Sequence, residues 1–370
     1  MKALKALPSL ARAGTYPIRR VAVALQGGGS HGAFTWGVLD RLLQESRVRI
    51  VAVSGTSAGA MNAAILADGL RRAGAAGARE ALAEFWHDVG RLPGYASFTA
   101  PAAFGSPGTW NLDHNGLFLW HDMLTRIWSP YQANPLNYHP LRSLIARIDF
   151  DGLRHDATAA RVFICATNVR TGLRRVFDNT EISVEVLLAS AALPQVYQAV
   201  EIAGEHYWDG GYTGNPALAP LYLGADASDV LVVGINPIER ADVPRTARAI
   251  IDRIGEISFN SSFMDEMAAI AFFDDLMRSR PADRRFRRRF IHGIGDEALG
   301  EFGASSKMNN HPEFLGHLRE LGEHAADRWL AQNRDALGKR STVDLSGLVP
   351  TRHGSLIGPS IIEHKSRGSP

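Results

Sequence analysis

VAVALQGGGSHGAFTWGVLDRLLQESRVRIVAVSGTSAG, residues 21–59, carries the pattern that decides the fold. Val21 to Leu25 is a continuous apolar run, the signature of a parallel strand buried on both faces. The glycine cluster Gly27-Gly28-Gly29-Ser30-His31-Gly32 follows at once. Ala33, Trp36, Gly37, Leu39, Leu42 and Leu43 then form an apolar stripe at helical spacing. Ile50 to Val53 reads as a second short strand, Gly55-Thr56-Ser57-Ala58-Gly59 as a tight turn, and Ala60 to Leu70 as a helix of small residues. Strand, helix, strand, helix in that order predicts an α/β fold with a mainly parallel sheet sandwiched by helices.

Outward from this opening, strand signals return at 161–168 and 174–177, and a helix is expected over 183–190. Val200–Ala203 and His206–Trp208 flank Gly204-Glu205 as a hairpin, and Asp209-Gly210-Gly211 follows directly. Val230 to Ile235 reads as another buried strand, and 245–280 as helical. Residues 1–18 are expected to form a flexible leader, and 341–370, rich in Ser, Gly and Pro, a disordered tail. Between them the pattern gives a core unit over 19–240 and a helical extension over 241–340 packed on it. Residues 91–140 hold 9 of the 31 aromatics together with Pro93, Pro101, Pro107, Pro130, Pro135 and Pro140. That density marks an aromatic-rich insertion, read either as an irregular cover on the core or as the lid of an apolar pocket.

With 370 residues and 45% apolar content, the chain can bury a sizeable core. A single cysteine, Cys165, excludes an intramolecular disulfide and fits a reducing compartment; its apolar setting reads as a buried structural thiol. No apolar run is long enough to span a membrane, and Ala6–Ala11 is too short for a signal-peptide core, so a cytoplasmic location is expected. The net charge of +2 and the lack of a binding motif argue against a nucleic-acid partner. One basic stretch stands out over 278–289: Arg278, Arg280, Arg284, Arg285, Arg287, Arg288 and Arg289, with Phe286 and Phe290 four apart on one helical face. It reads as a solvated helix end, or as a peripheral contact to an anionic membrane or lipid-granule surface.

Ser57 stands in G-x-S-x-G between an apolar strand and a helix-forming run, the context of a nucleophile elbow. Gly55 and Gly59 let strand and helix approach closely around it, and the helix N-terminus favours developing negative charge. The cluster Gly27–Gly32 also spells the dinucleotide fingerprint G-x-G-x-x-G. That reading wants an acidic residue at the end of the second strand, where Ser54-Gly55 stand instead, so a nucleotide-dependent oxidoreductase is the weaker rival. A structural glycine turn is another reading. As an oxyanion hole, the cluster would offer backbone N–H groups with no side chain in the way. Gly28 and Gly29 are the best candidates, with Gly27 beside them and the Ala58 N–H contributing. Asp209, on a glycine turn after a hairpin, can aim its carboxylate across the sheet. Of the histidines after it, His292, His311, His317, His324, His353 and His364, none has a local frame suited to a triad. The acid follows Ser57 by about 150 residues, and the arrangement favours a Ser-Asp dyad.

Gly27-Gly28-Gly29-Ser30-His31-Gly32, Gly55-Thr56-Ser57-Ala58-Gly59 and Asp209-Gly210-Gly211 resemble, in order and spacing, the three signatures of the patatin-like phospholipases. Ala189-Ser190-Ala191-Ala192-Leu193-Pro194 and Asn215-Pro216 are similar to that family as well. The resemblance covers roughly residues 20–240. It implies a patatin-like three-layer catalytic domain over 19–240, with 91–140 as lid or insertion. It also implies hydrolysis of lipid acyl esters by Ser57 as nucleophile and Asp209 as base, with no cofactor and no metal. Ser30, His31, Gly32, Gly55, Gly59, Gly210 and Gly211 become supporting motif positions. The family has Lys or Arg where this chain has His31, so support of the oxyanion loop is expected to depend on protonation of that ring. A catalytically silent lipid- or granule-binding scaffold of the same fold, and a hydrolase of a polyester such as polyhydroxyalkanoate, are the alternatives.

Overall fold

The computed structural model describes residues 17–94, 110–240, 242–279 and 289–345. Its centre is an eight-stranded sheet built from β1 (Arg19–Leu25), β2 (Val48–Gly55), β3 (Arg161–Asn168), β4 (Arg174–Phe177), β5 (Val200–Ile202), β6 (Glu205–Asp209), β7 (Asp229–Val233) and β8 (Phe290–Ile294). The order is β5-β6-β3-β2-β1-β7-β8, with β4 paired to β3 off this path. Strands β3, β2, β1, β7 and β8 run parallel. The others, β4, β5 and β6, pair antiparallel. The mainly parallel sheet read from the sequence is therefore the one formed.

The helices are α1 (Gly32–Leu43), α2 (Ala58–Arg91), α3 (Gly116–Thr125), α4 (Pro130–Ala133), α5 (Arg142–Ile145), α6 (Phe150–His155), α7 (Val184–Ser190), α8 (Ala219–Gly224), α9 (Ala247–Ser279) and α10 (Pro312–Asn333). Side chains alternate along β1, as they must in a pleated strand. Val21, Val23 and Leu25 join a core with Phe34 and Leu39 of α1, Met61 and Leu66 of α2, and Phe314 and Leu318 of α10. Ala22 and Ala24 face the other way, into a core with Leu221 of α8 and Phe263 and Met267 of α9. Helices thus cover both faces and make three layers. The continuous apolar run in β1 is the consequence, since neither face meets water.

Helix α2 runs past the expected end at Leu70, with a break at Ala73 and Gly74, whose φ/ψ leave the helical region. Residues 241–340 are not wholly helical: β8 extends the sheet beside β7. Phe290 opens that strand and is not helical, while Phe286, its expected companion on a helical face, lies outside the described residues. Within the aromatic-rich insertion, residues 95–109 lie outside the described residues. The remainder forms α3 and α4, with Phe118 buried and Trp120, Trp128 and Tyr131 exposed. Of the expected leader 1–18 and tail 341–370, residues 1–16 and 346–370 lie outside the described residues. The start of the tail is ordered, a correction: the Thr342 and Val343 N–H groups donate to the Ile291 carbonyl of β8, and Val343 is buried in the core.

The register of β3 places the site. Its first half pairs with β2, Gly55 lying opposite Ile164. Its second half pairs with β6, Asp209 lying opposite Ala166. Ala166 and Thr167 pair with β4 as well as β6, and Ile164 pairs with β4 as well as β2. A residue has only two edges for ladder bonds, so β2 and β6 must share one edge of β3 while β4 takes the other. Because β2 runs parallel to β3 and β6 antiparallel, their C-terminal ends point at one another across Cys165.

Candidate active site

Ser57 follows β2 and caps α2, with φ 54 and ψ −122. A serine in this region of backbone space stores on the order of 1–3 kcal/mol, retained only where the surroundings enforce it. Here they do. The Ser57 N–H donates to Ser190 Oγ (2.9 Å), and the Ser190 hydroxyl donates to the Cys165 carbonyl (2.6 Å). The Thr56 and Ser54 hydroxyls donate to the Gly214 carbonyl (2.6 Å) and the Ala217 carbonyl (2.7 Å), tying the turn to the chain after Asp209. Gly59 packs so tightly under β1 that a Cβ there would collide with the Leu25 carbonyl. This is the close approach of strand and helix that the pentapeptide spacing calls for.

Asp209 ends β6 and is buried. Its Oδ1 accepts the Gly211 N–H (2.7 Å), and its carbonyl accepts the Thr167 hydroxyl (2.8 Å). Burial pushes its carboxyl up to about 7, against the opposing influence of the Gly211 N–H and the Ser57 hydroxyl. The Oδ2 atom has no hydrogen-bond partner among the described residues. Beneath the pair, Cys165 is buried and its thiol is pushed up to about 12 by burial, which keeps it protonated and inert.

The glycine cluster turns from β1 into α1 beside Ser57. Gly27 is not free to serve as an oxyanion donor, a correction to the expected set: its N–H donates to Asn215 Oδ1 (2.6 Å). Its carbonyl accepts Asn236 Nδ2 (2.7 Å). Gly28 and Gly29 follow, and Ala58 opens α2, where helix geometry leaves the first N–H groups without internal partners. Gly29 has φ 58 and its Cα lies against the Lys307 carbonyl, where a Cβ would collide. Only glycine meets both demands.

His31 supports the loop through a hydrogen bond between Nε2 and Ser306 Oγ (2.7 Å). The ring is buried, and burial together with the charge of Lys307 lowers it to about 3, which favours the neutral form. Among the other histidines, His292 is taken by Asp229 (2.9 Å) at the start of β7. Among the described residues, no group of three His, Cys, Asp or Glu side chains is placed to hold a metal ion. Arg289, the one residue of the 278–289 basic stretch whose side chain is described, is committed to the Tyr222 and Ala227 carbonyls.

Several residues at the site carried no legible role in the sequence. Ser190 and Asn215 stood in stretches similar to the family, yet nothing local marked them as the anchors of Ser57 and Gly27. Asn236, Ser306 and Lys307 had no signal, because their partners lie far away in the chain.

A family model described as patatin-like phospholipase matches residues 23–222, more than half of the chain. Two solved structures are similar at 15% identity. The crystal structure of VipD from Legionella pneumophila has a TM-score of 0.39 and covers 88% of this chain and 69% of that one. The heterodimeric ExoU-SpcU complex from the type III secretion system of Pseudomonas aeruginosa has a TM-score of 0.29 and covers 83% of this chain. This chain spans about half, 52%, of the length of that second match. No curated protein sequence matches significantly.

Proposed function

The chain belongs to the patatin-like phospholipase family, and on that premise we propose that it is a serine acyl hydrolase cleaving carboxylic ester bonds of lipids. The observation that supports this reading is the convergence of β2 and β6 on one edge of β3, which brings the strained Ser57 turn toward a buried Asp209 whose carboxyl is raised to about 7. A carboxylate poised near neutrality serves as a general base where an ordinary one is too weak. Asp209 takes the Ser57 proton as Ser57 Oγ attacks the ester carbonyl. The tetrahedral oxygen is held by the N–H groups of Gly28, Gly29 and Ala58, at the positive end of α2. The alcohol leaves with the proton from Asp209. Water then attacks the acyl-enzyme, Asp209 again taking the proton; the acyl–Oγ bond breaks, the acid leaves, and Asp209 returns the proton to Ser57 Oγ.

We extend the reading to the physical form of the substrate. Trp120, Ile127, Trp128 and Tyr131 stand exposed on the segment that includes α3 and α4, which supports contact with a lipid surface. Among the described residues no helix is long and apolar enough to cross a membrane. A peripheral contact of a cytoplasmic protein is the reading consistent with both.

The test is covalent labelling. A fluorophosphonate probe should modify Ser57, mapped by peptide mass spectrometry, and Ser57→Ala and Asp209→Asn should each lose turnover of a p-nitrophenyl acyl ester while melting cooperatively. Label on another residue, or full turnover by either variant, would reject the dyad. A folded protein that neither reacts nor turns over would be the silent lipid-binding scaffold.

A further inference from the structure

The glycine loop is braced by the short helical turn Ala304–Met308, which lies far beyond it in the chain. Two contacts join them directly. His31 Nε2 meets Ser306 Oγ (2.7 Å), and the Ser306 hydroxyl donates onward to the Gly303 carbonyl (2.7 Å). The Lys307 carbonyl lies against Gly29, close enough to exclude a Cβ.

A third connection runs through Asn236, just beyond β7. Lys307 Nζ donates to Asn236 Oδ1 (2.8 Å). Asn236 Nδ2 in turn donates to the Gly27 carbonyl (2.7 Å) and to Gln26 Oε1 (3.3 Å). An amide side chain by itself can present either end. A lysine ammonium is a donor only, so it must face the amide oxygen, and the NH₂ group is thereby turned toward Gly27. The Gly27 carbonyl and the Gly28 N–H are opposite ends of one planar trans peptide. Whatever fixes the direction of the first fixes the direction of the second, pointing the other way.

We infer that Lys307 is a positioning residue for ester hydrolysis: through Asn236 it locks the Gly27–Gly28 peptide, so that the Gly28 N–H stays aimed at the oxyanion position. This rests on the Ser57–Asp209 hydrolase reading. The Asn215 side chain holds the other end of Gly27, its Oδ1 accepting the Gly27 N–H (2.6 Å), and its Nδ2 reaches the Gly27 carbonyl only at 3.4 Å, against 2.7 Å from Asn236 Nδ2, so the loop is clamped on both sides of that residue. Burial lowers the Lys307 pKa, and the charge of Glu256 opposes that shift most strongly. Glu256 is also held by Arg240 (3.2 Å) and Arg253 (3.1 Å), so it keeps cationic partners when Lys307 is replaced.

The experiment compares wild type, Lys307→Met, Asn236→Ala and the double variant on a p-nitrophenyl acyl ester, with fluorophosphonate labelling rates and melting temperatures alongside. Loss of one oxyanion donor costs roughly 10²–10³-fold, so loss of its brace should cost about 10–100-fold in kcat. KM should stay within about 2-fold, because the donor acts on the transition state and not on the bound ester. Labelling should slow in parallel, since the phosphonyl oxygen occupies the same hole. The double variant should be no slower than the worse single one, because both remove the same strut. Wild-type kcat in Lys307→Met, a loss confined to KM, or additive effects in the double variant would overturn the inference. Should Lys307→Met fail to fold, Asn236→Ala decides: it must lose kcat at unchanged KM, and wild-type kcat there would overturn the inference. A wild type that neither hydrolyses nor labels defeats the hydrolase reading and the brace together, a pattern distinct from an active wild type with a fully active Lys307→Met.

Discussion

Gly55 and Asp209 occupy the same edge of strand β3, opposite Ile164 and Ala166, with only Cys165 between those two positions. Where β2 turns away from the sheet to present Ser57, β6 arrives from the opposite direction and ends on Asp209. The turn that carries Ser57 and the end of β6 come to one place because two strands with converging C-termini share one edge. Catalytic groups set at strand ends inherit the rigidity of the ladder.

The pH dependence should be one-sided. As the proposed base, Asp209, with its carboxyl raised to about 7, can act only when ionised. kcat/KM should therefore climb through about pH 7 and level off above it. Stability runs the opposite way. The folded pKa lies above the ordinary value of 3.8, so the folded state holds this proton more tightly than the unfolded chain does. The contribution is fully favourable below about pH 4 and is lost as pH rises to about 7, on the order of 4 kcal/mol in all. Asp209→Asn should lack this fall, and its melting-temperature advantage over wild type should grow from pH 4 to pH 7. A constant difference across that range would contradict a buried, raised carboxyl.

Ser57→Gly should be inactive and more stable. Glycine adopts φ 54 without a steric penalty, so the strain stored at Ser57 is relieved by about 1 kcal/mol. Thermal denaturation should show a small rise in melting temperature relative to Ser57→Ala. A glycine variant that melts below the alanine variant would mean the turn is not strained.

Ser190→Ala should weaken both fold and catalysis. It leaves the Ser57 N–H and the Cys165 carbonyl without the partner that now bridges them. The expected cost is about 2 kcal/mol in stability. With Ser57 less well held, kcat should drop roughly 10-fold or more. Unchanged turnover by a destabilised variant would show that the bridge serves the fold alone.

His31→Lys should destabilise the protein. The position is fully buried and already beside the Lys307 charge, the two causes that lower the histidine to about 3. An unpaired cation there costs on the order of 3 kcal/mol or more. Wild type should also show no activity limb from this ring between about pH 5 and 9. A His31→Lys protein as stable as wild type, or a limb that disappears in His31→Gln, would restore the protonated-ring account.

Much was readable locally. The run Val21–Leu25 is apolar because β1 is covered on both faces, and that alone announced a buried parallel sheet. The spacing of Gly55, Ser57 and Gly59 reported a steric fact, the contact of Gly59 with the Leu25 carbonyl, so the elbow was visible before the fold. The glycine cluster was equally visible, but which of its N–H groups are free was not. Gly27 is occupied by Asn215, a residue 188 positions away. The lowering of His31 was illegible for a similar reason. Its state is set by burial and by Lys307, and neither is encoded near residue 31.

What the sequence determined by itself was strands β1 to β7 with the helices α1, α2, α7 and α9, the serine turn and the glycine loop, because each depends on periodicity or backbone sterics within a few residues. What only the tertiary structure decided was the arrival of Asp209 on the strand edge beside the serine turn, the raised carboxyl, and the contacts of the loop with Ser306 and Lys307. These depend on sheet register, desolvation and hydrogen bonds across the chain, and such quantities exist only once distant segments are packed against one another.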